Sequence, residues 1–170
     1  MPESNSFSTI PTKILVPIDF SPSSRAAVES AAELAEHFGA AIHLVHVIPM
    51  FPATTLPDFI PETRFTEEAT KEAERHFAAV RADLTGRGIK MDSSVEIGDD
   101  VASSIMEAVE KEKADLVVIS THGLTGWHPL FFGSIAEKVM KLVQCPVLLL
   151  RTPKPVSSAK VASERLMEWW

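Results

Sequence analysis

What this sequence has little of narrows its class before any motif is read. Its 170 residues contain one cysteine, Cys145. A lone cysteine excludes an internal disulfide and any zinc site built on paired cysteines, and fits a reducing compartment. It stands beside the apolar run PVLLL, where a free thiol is expected to be packed as a small hydrophobe. No apolar run approaches the roughly 20 residues that span a bilayer. The opening MPESNSFSTIPTK lacks the charged and apolar regions of a secretory signal. No membrane insertion is expected, and the expected location is cytoplasmic. Positive charge is also scarce: 16 Lys and Arg against 23 Asp and Glu leave a net charge of −7. Nucleic acid is therefore not an expected partner, whereas a small nucleotide bound by backbone N–H groups remains compatible with an acidic protein. The chain has no G-x-x-x-x-G-K-[ST] phosphate loop and no G-x-S-x-G nucleophile elbow. No strong catalytic constellation is left.

What is present is ordinary for one globular domain: 45% hydrophobic residues in a chain of 170. Residues 1–10 are polar and serine-rich, an expected flexible N-terminus. Residues 13–18 form an almost wholly apolar run that suits a parallel strand buried on both faces. Ser21 and Pro22 then read as a helix cap and first turn, and Gly39 as the helix end. Residues 41–48 read as a second strand, with His43 and His46 on opposite faces because they are an odd number of positions apart. The segment 49–64 carries four prolines and reads as a long loop. A helix is expected over 66–85 with Thr66 as its cap and Gly86 and Gly88 closing it. A strand over 91–97 and a helix over 101–111 capped by Asp100 follow. Strands over 114–120 and 146–150 complete the alternation, which implies a parallel sheet with right-handed crossovers and helices on both sides. The expected fold is α/β, a Rossmann-like three-layer sandwich.

The stretch 120–142, STHGLTGWHPLFFGSIAEKVMKL, joins the fourth strand to an amphipathic helix through a loop with glycine at both ends. A helix start presents unpaired N–H groups and the positive end of its dipole, so an anion is stabilised there without any basic side chain. Gly133 allows close approach and Gly123 a sharp turn. Ser134 is either a phosphate contact or a helix cap, because Ser134 and Glu137 have the spacing of a capping box. His122 either faces the phosphates or closes the turn. Trp127, Leu130, Phe131 and Phe132 make the loop apolar enough to lie against protein. Asp19, just past the first strand, is placed to accept hydrogen bonds from a ribose or to help hold a divalent ion. The alternative for Asp19 is a polar turn.

A strand, the tripeptide T-H-G, nine residues and G-S together resemble the nucleotide-binding signature G-x-x-G-x9-G-[S/T] of the universal stress protein (UspA) family, in its ATP-binding type. Gly123, Gly133 and Ser134 match, while Ser120 stands at the position of the first glycine. ILVPIDFSPSSRAAVESAAELA resembles the family's first strand, acidic loop and first helix, and CPVLLLR its last strand, so the likeness spans residues 11–152. It implies a five-stranded parallel sheet in the order 3-2-1-4-5 and ATP, with or without Mg²⁺, at the strand ends. It further implies Pro17, Ile18 and Val47 near adenine and Asp19 on ribose. Gly123, Gly133, Ser134 and Ile135 would then surround the phosphates, with Ile119, Ser120 and His122 also lining the nucleotide site. Pairing of two copies through the last strand is also implied. Residues 153–170 lie beyond the likeness, and their apolar residues Val161, Leu166, Trp169 and Trp170 are expected to dock on this domain, on a second subunit or on an unknown protein partner. The leading expectation is a nucleotide-dependent regulatory module of the stress response. An interaction protein that has lost nucleotide binding, and a weak Mg²⁺-dependent ATPase, are the alternatives.

Overall fold

Strand and helix alternate along the whole described chain. The computed structural model describes residues 10–50, 62–121 and 133–151. In order these form β1 (Lys13–Pro17), α1 (Pro22–Phe38), β2 (Ala41–Pro49), α2 (Glu62–Asp83), β3 (Met91–Gly98), α3 (Val101–Glu112), β4 (Leu116–Ser120), α4 (Ser134–Leu142) and β5 (Val147–Leu150). The five strands are parallel and lie in the order β3-β2-β1-β4-β5. The expected doubly wound sandwich and strand order are what the structure has.

Each face of the sheet carries its own core. Ile14, Val16, Ile42, Leu44 and Val118 pack against α1 and α2, with Phe77 of α2 fully buried among them. Leu15, Val45, Val117 and Ile119 pack on the other face against Ala102, Ile105 and Ala108 of α3 and Ala136 and Val139 of α4. Both faces of β1 are covered, which is why its sequence is a continuous apolar run rather than an alternating one. His43 and His46 do point to opposite faces. His43 is buried beneath α3, near Glu112, while the ring of His46 meets Phe20 on the side of α1 and α2. Cys145 is half-buried against the second core, and burial raises its thiol pKa.

The helix ends follow local chemistry. Ser21 Oγ accepts the N–H of Ser24 at 3.2 Å, Pro22 occupies the first turn of α1, and Gly39 closes it in the left-handed conformation with φ 70°. Asp100 accepts the N–H of Ser103 at 2.9 Å and caps α3. Its carboxyl is also held by Lys138 of α4 at 2.9 Å, and that contact first, then Ser103, lowers its pKa to about 2. A second carboxylate fixes the start of β1: Asp115 accepts Thr12 N–H at 2.9 Å, Thr12 Oγ1–H at 2.6 Å and Lys13 N–H at 2.9 Å. Burial raises the Asp115 pKa, but these donors together outweigh it and leave the pKa below the usual range.

The expected start of the second helix needs correction. Thr66 is not its cap; α2 begins at Glu62, and Thr66 Oγ1 donates to the Thr63 carbonyl at 2.9 Å inside the helix. The loop expected over 49–64 is thereby shortened at both ends, because Pro49 closes β2 and residues from 62 onward are helical. Its centre, 51–61, lies outside the described residues, as do 1–9, 122–132 and 152–170.

Candidate functional site

The sheet opens where its winding reverses, between β1 and β4. In register, β1 meets β4 only at Ile14↔Leu116 and Leu15↔Val117, whereas it stays with β2 as far as Pro17↔Val45. The hydrogen-bond directions supply a reason. Ile18 N–H donates toward β2, to Val45 O at 2.9 Å, while Lys13 O accepts from Asp115 N–H on the β4 side at 3.0 Å. Odd-numbered residues of β1 therefore face β4, and the next donor in that row is Pro17, which has no N–H. Beyond it β4 continues with β5 to Ser120↔Leu150. A crevice at the C-terminal ends of the strands, at the reversal point, is where open α/β sheets bind ligands.

One wall of the crevice is the start of α4. Thr121 is 1% exposed, and its N–H donates to Leu150 O at 2.9 Å. Its carbonyl accepts Gly133 N–H at 2.8 Å. The chain that leaves β4 is thus brought back onto the strand end, so the first turn of α4 begins at the mouth of the crevice. This overturns the capping-box reading of Ser134. Gly133 is the N-cap, with φ −57° and ψ 140° and no side-chain cap, and Ser134 is already helical and exposed. Glu137 completes no box, because with Gly133 as the cap it is the fourth helical residue rather than the third, its N–H donating to Gly133 O at 3.0 Å, and its carboxylate meets Lys141 Nζ at 2.7 Å. That lysine lowers the Glu137 pKa and draws the charge away from the helix start. With no side chain among the described residues capping this end, the positive dipole end of α4 suits an anion.

The opposite wall is the short turn after β1. Asp19 Oδ1 accepts Ser21 Oγ–H at 2.6 Å and Ser21 N–H at 3.1 Å, so the carboxylate is aimed by the residue that also caps α1. Ile18 is 3% exposed, its N–H bound to Val45 and its carbonyl accepting His46 Nδ1–H at 2.8 Å. A carbonyl only accepts, which fixes that proton on Nδ1 of His46. Val47 lies two residues past the level of Pro17 on β2, 9% exposed, and packs with Val45 and Ile119 toward α3 and α4.

Of the residues singled out from sequence, Pro17, Ile18 and Asp19 stand at the end of β1, Val47 at the end of β2 and Ile119 and Ser120 at the end of β4. Gly133, Ser134 and Ile135 stand at the start of α4, Ile135 with 43% of its surface exposed. His122 and Gly123 lie outside the described residues, as does the apolar part of the loop. Sequence reasoning passed over Thr121, whose carbonyl holds the Gly133 N–H, and Phe20, which follows Asp19 and whose ring packs on His46 and His76. The T-H-G tripeptide was a signal for the first. Among the described residues no group of three or more His, Cys, Asp or Glu is gathered for a metal ion.

These features define a class: a doubly wound parallel α/β protein whose β1 and β4 part at the switch point, beside a helix start with no side-chain cap among the described residues. The comparisons with known proteins name the family. Residues 11–151 match the model of the universal stress protein family, and the chain belongs to that family. It is 33% identical over 142 residues to universal stress protein MJ0531 of Methanocaldococcus jannaschii, covering 84% of this chain and 83% of the relative. It superposes on the solved structure of hypothetical protein MJ0577 with a TM-score of 0.75 and 25% identity, over 86% of this chain and 99% of that one. Two further structures share the fold and hold nucleotides. An Arabidopsis thaliana family protein with AMP bound gives a TM-score of 0.60 at 20% identity, over 88% of this chain and 99% of that one. The Archaeoglobus fulgidus protein in complex with dAMP gives 0.58 at 20% identity, over 82% and 98%.

Proposed function

We propose that this chain binds an adenine nucleotide, ATP, in the crevice between β1 and β4 and serves as a nucleotide-dependent regulatory module in the stress response. The observation that carries the reading is the start of α4: an N-cap glycine pinned to Thr121 at the end of β4, with no side-chain cap among the described residues, beside the point where β1 and β4 part. Phosphates at such an end gain backbone hydrogen bonds and dipole stabilisation. The AMP and dAMP complexes of proteins with this fold support an adenine nucleotide as the ligand class. Pro17 and Val47 flank the adenine, Asp19 meets the ribose, and Gly133, Ser134 and Ile135 surround the phosphates together with Ser120, His122 and Gly123. Were Mg²⁺ to accompany the phosphates, it would need only one or two protein carboxylates, which is the alternative role of Asp19.

The same reading holds the protein to be a cytoplasmic homodimer. Among the described residues β5 is an edge strand, with Leu148 37% exposed, and a partner copy covers that edge. Residues 153–170 stand outside the nucleotide-binding unit and serve assembly or a protein partner. Light scattering at micromolar concentration tests the dimer, a monomer mass contradicting it. Truncation after residue 152 tests the tail, and ATP affinity is expected to persist. The function itself is tested by heating protein purified from cells and identifying the released small molecules, followed by calorimetric titration of the emptied protein with ATP. An adenine nucleotide released and rebound is expected. An empty protein with no ATP affinity would put the interaction-protein reading in its place, with Ser120 at the first glycine position as its structural reason.

A further inference from the structure

Phe20 holds a backbone angle that side chains avoid, at the one turn that carries Asp19. Its φ is 61°, in the left-handed region, where a bulky residue is strained and persists only if its surroundings hold it. Lys113 also has a positive φ, 53°, but there it forms the ordinary left-handed end of α3. Phe20 ends no helix. What holds it is a set of rings: His76 of α2 stacks on it with centroids 4.6 Å apart, His46 of β2 lies tilted at 4.8 Å, and Phe77 meets its edge at 5.4 Å.

The peptide units on either side are tied as well. His46 Nδ1–H binds the carbonyl of Ile18, and Ser21 binds Asp19 Oδ1 through both its N–H and its hydroxyl. The Asp19 turn is therefore fastened to β2 through His46, to α1 through Ser21, and to α2 through the ring of Phe20. We propose that Phe20 is a positioning residue for the nucleotide site, its stack with His46 and His76 transmitting the packing of α2 into a fixed direction for the Asp19 carboxylate. This rests on the nucleotide reading above. It makes α2, through its contacts with the ring of Phe20, a determinant of affinity.

The test uses Phe20→Gly, His76→Ala and His76→Phe in the full chain. Glycine takes the left-handed angle without strain, so the turn is kept and only the ring is lost. His76 has 40% of its side chain exposed and a 3.4 Å contact with Glu72 besides its stack on Phe20, so alanine there should keep the fold and lower the unligated melting temperature by no more than a few degrees. Three quantities are read: that melting temperature, hydrogen exchange at the Ser21 amide, which reports whether Asp19 is held, and ATP affinity by calorimetry. An unfixed side chain must be ordered on binding, so affinity is expected to fall about 10-fold in Phe20→Gly and about 3-fold in His76→Ala. Ser21 exchange should quicken in both, and His76→Phe, which keeps a flat ring, should restore wild-type values. Wild-type ATP binding with both loss variants within twofold of it overturns the proposal and leaves the nucleotide reading intact. Absence of ATP binding in the wild type overturns that reading and the proposal together.

Discussion

Gly133 is the position where fold and ligand binding are expected to pull in opposite directions. Its φ of −57° and ψ of 140° are open to any residue, so the backbone does not require glycine there. Ser21 and Asp100 show that this chain caps other helices with side chains. Aspartate in place of Gly133 gains a few tenths of a kcal/mol as a cap and a favourable charge at the dipole end, about 0.5–1 kcal/mol in all. For a domain of this size that raises the melting temperature by roughly 1–4 °C. The same carboxylate occupies the space and the N–H groups assigned to phosphate. Losing two charge-assisted hydrogen bonds costs about 3 kcal/mol or more, a fall in ATP affinity of roughly 100-fold or greater. Differential scanning calorimetry without nucleotide and titration calorimetry with ATP read the two effects. A Gly133→Asp protein that melts higher yet binds ATP like the wild type would refute the placement of the phosphates.

Ser134→Ala is expected to leave stability within about 0.5 kcal/mol, because Ser134 lies inside α4 and caps nothing, while ATP affinity falls by the loss of one hydroxyl contact; urea unfolding and calorimetry check the pair. Asp115→Ala removes the acceptor of two backbone N–H groups and a hydroxyl, and should lower stability by about 1.5–3 kcal/mol, read as a reduced urea midpoint with an unchanged slope. His43 gives a pH dependence. Burial, its largest influence, lowers its pKa below the ordinary 6.5 despite Glu112 nearby. The unfolded chain therefore takes up this proton first as pH falls, so stability drops below about pH 6.5 and levels off once pH passes below the folded-state pKa. His43→Gln should flatten that part of a melting-temperature profile. An equally steep profile in the variant would assign the slope to other groups.

What was legible in the sequence was local. Ser21-Pro22 and Gly39 bracket α1 because capping and left-handed closure depend on neighbours in the chain. Asp100 caps α3 for the same reason. The prolines of 49–61 argued for loop as far as Arg64, yet proline is tolerated at a helix start, and α2 was free to begin at Glu62. Ser134 and Glu137 had the spacing of a capping box, but the Thr121 carbonyl fixes Gly133 as the cap one residue earlier, a contact that spacing does not encode. Strand order came from family resemblance, since alternation of strand and helix allows several orders. Nothing in D-F-S announces that its phenylalanine sits at positive φ. That angle is held by rings from β2 and α2, far away in sequence.

The central claim is that an adenine nucleotide occupies the switch-point crevice, and amide NMR during an ATP titration tests it residue by residue. The account predicts saturable shifts at Asp19, Val47, Ser120, Thr121 and the amides from Gly133 to Ala136, with β3 and the exposed face of α2 unmoved. Shifts confined to other surfaces, or none at millimolar ATP, would contradict it.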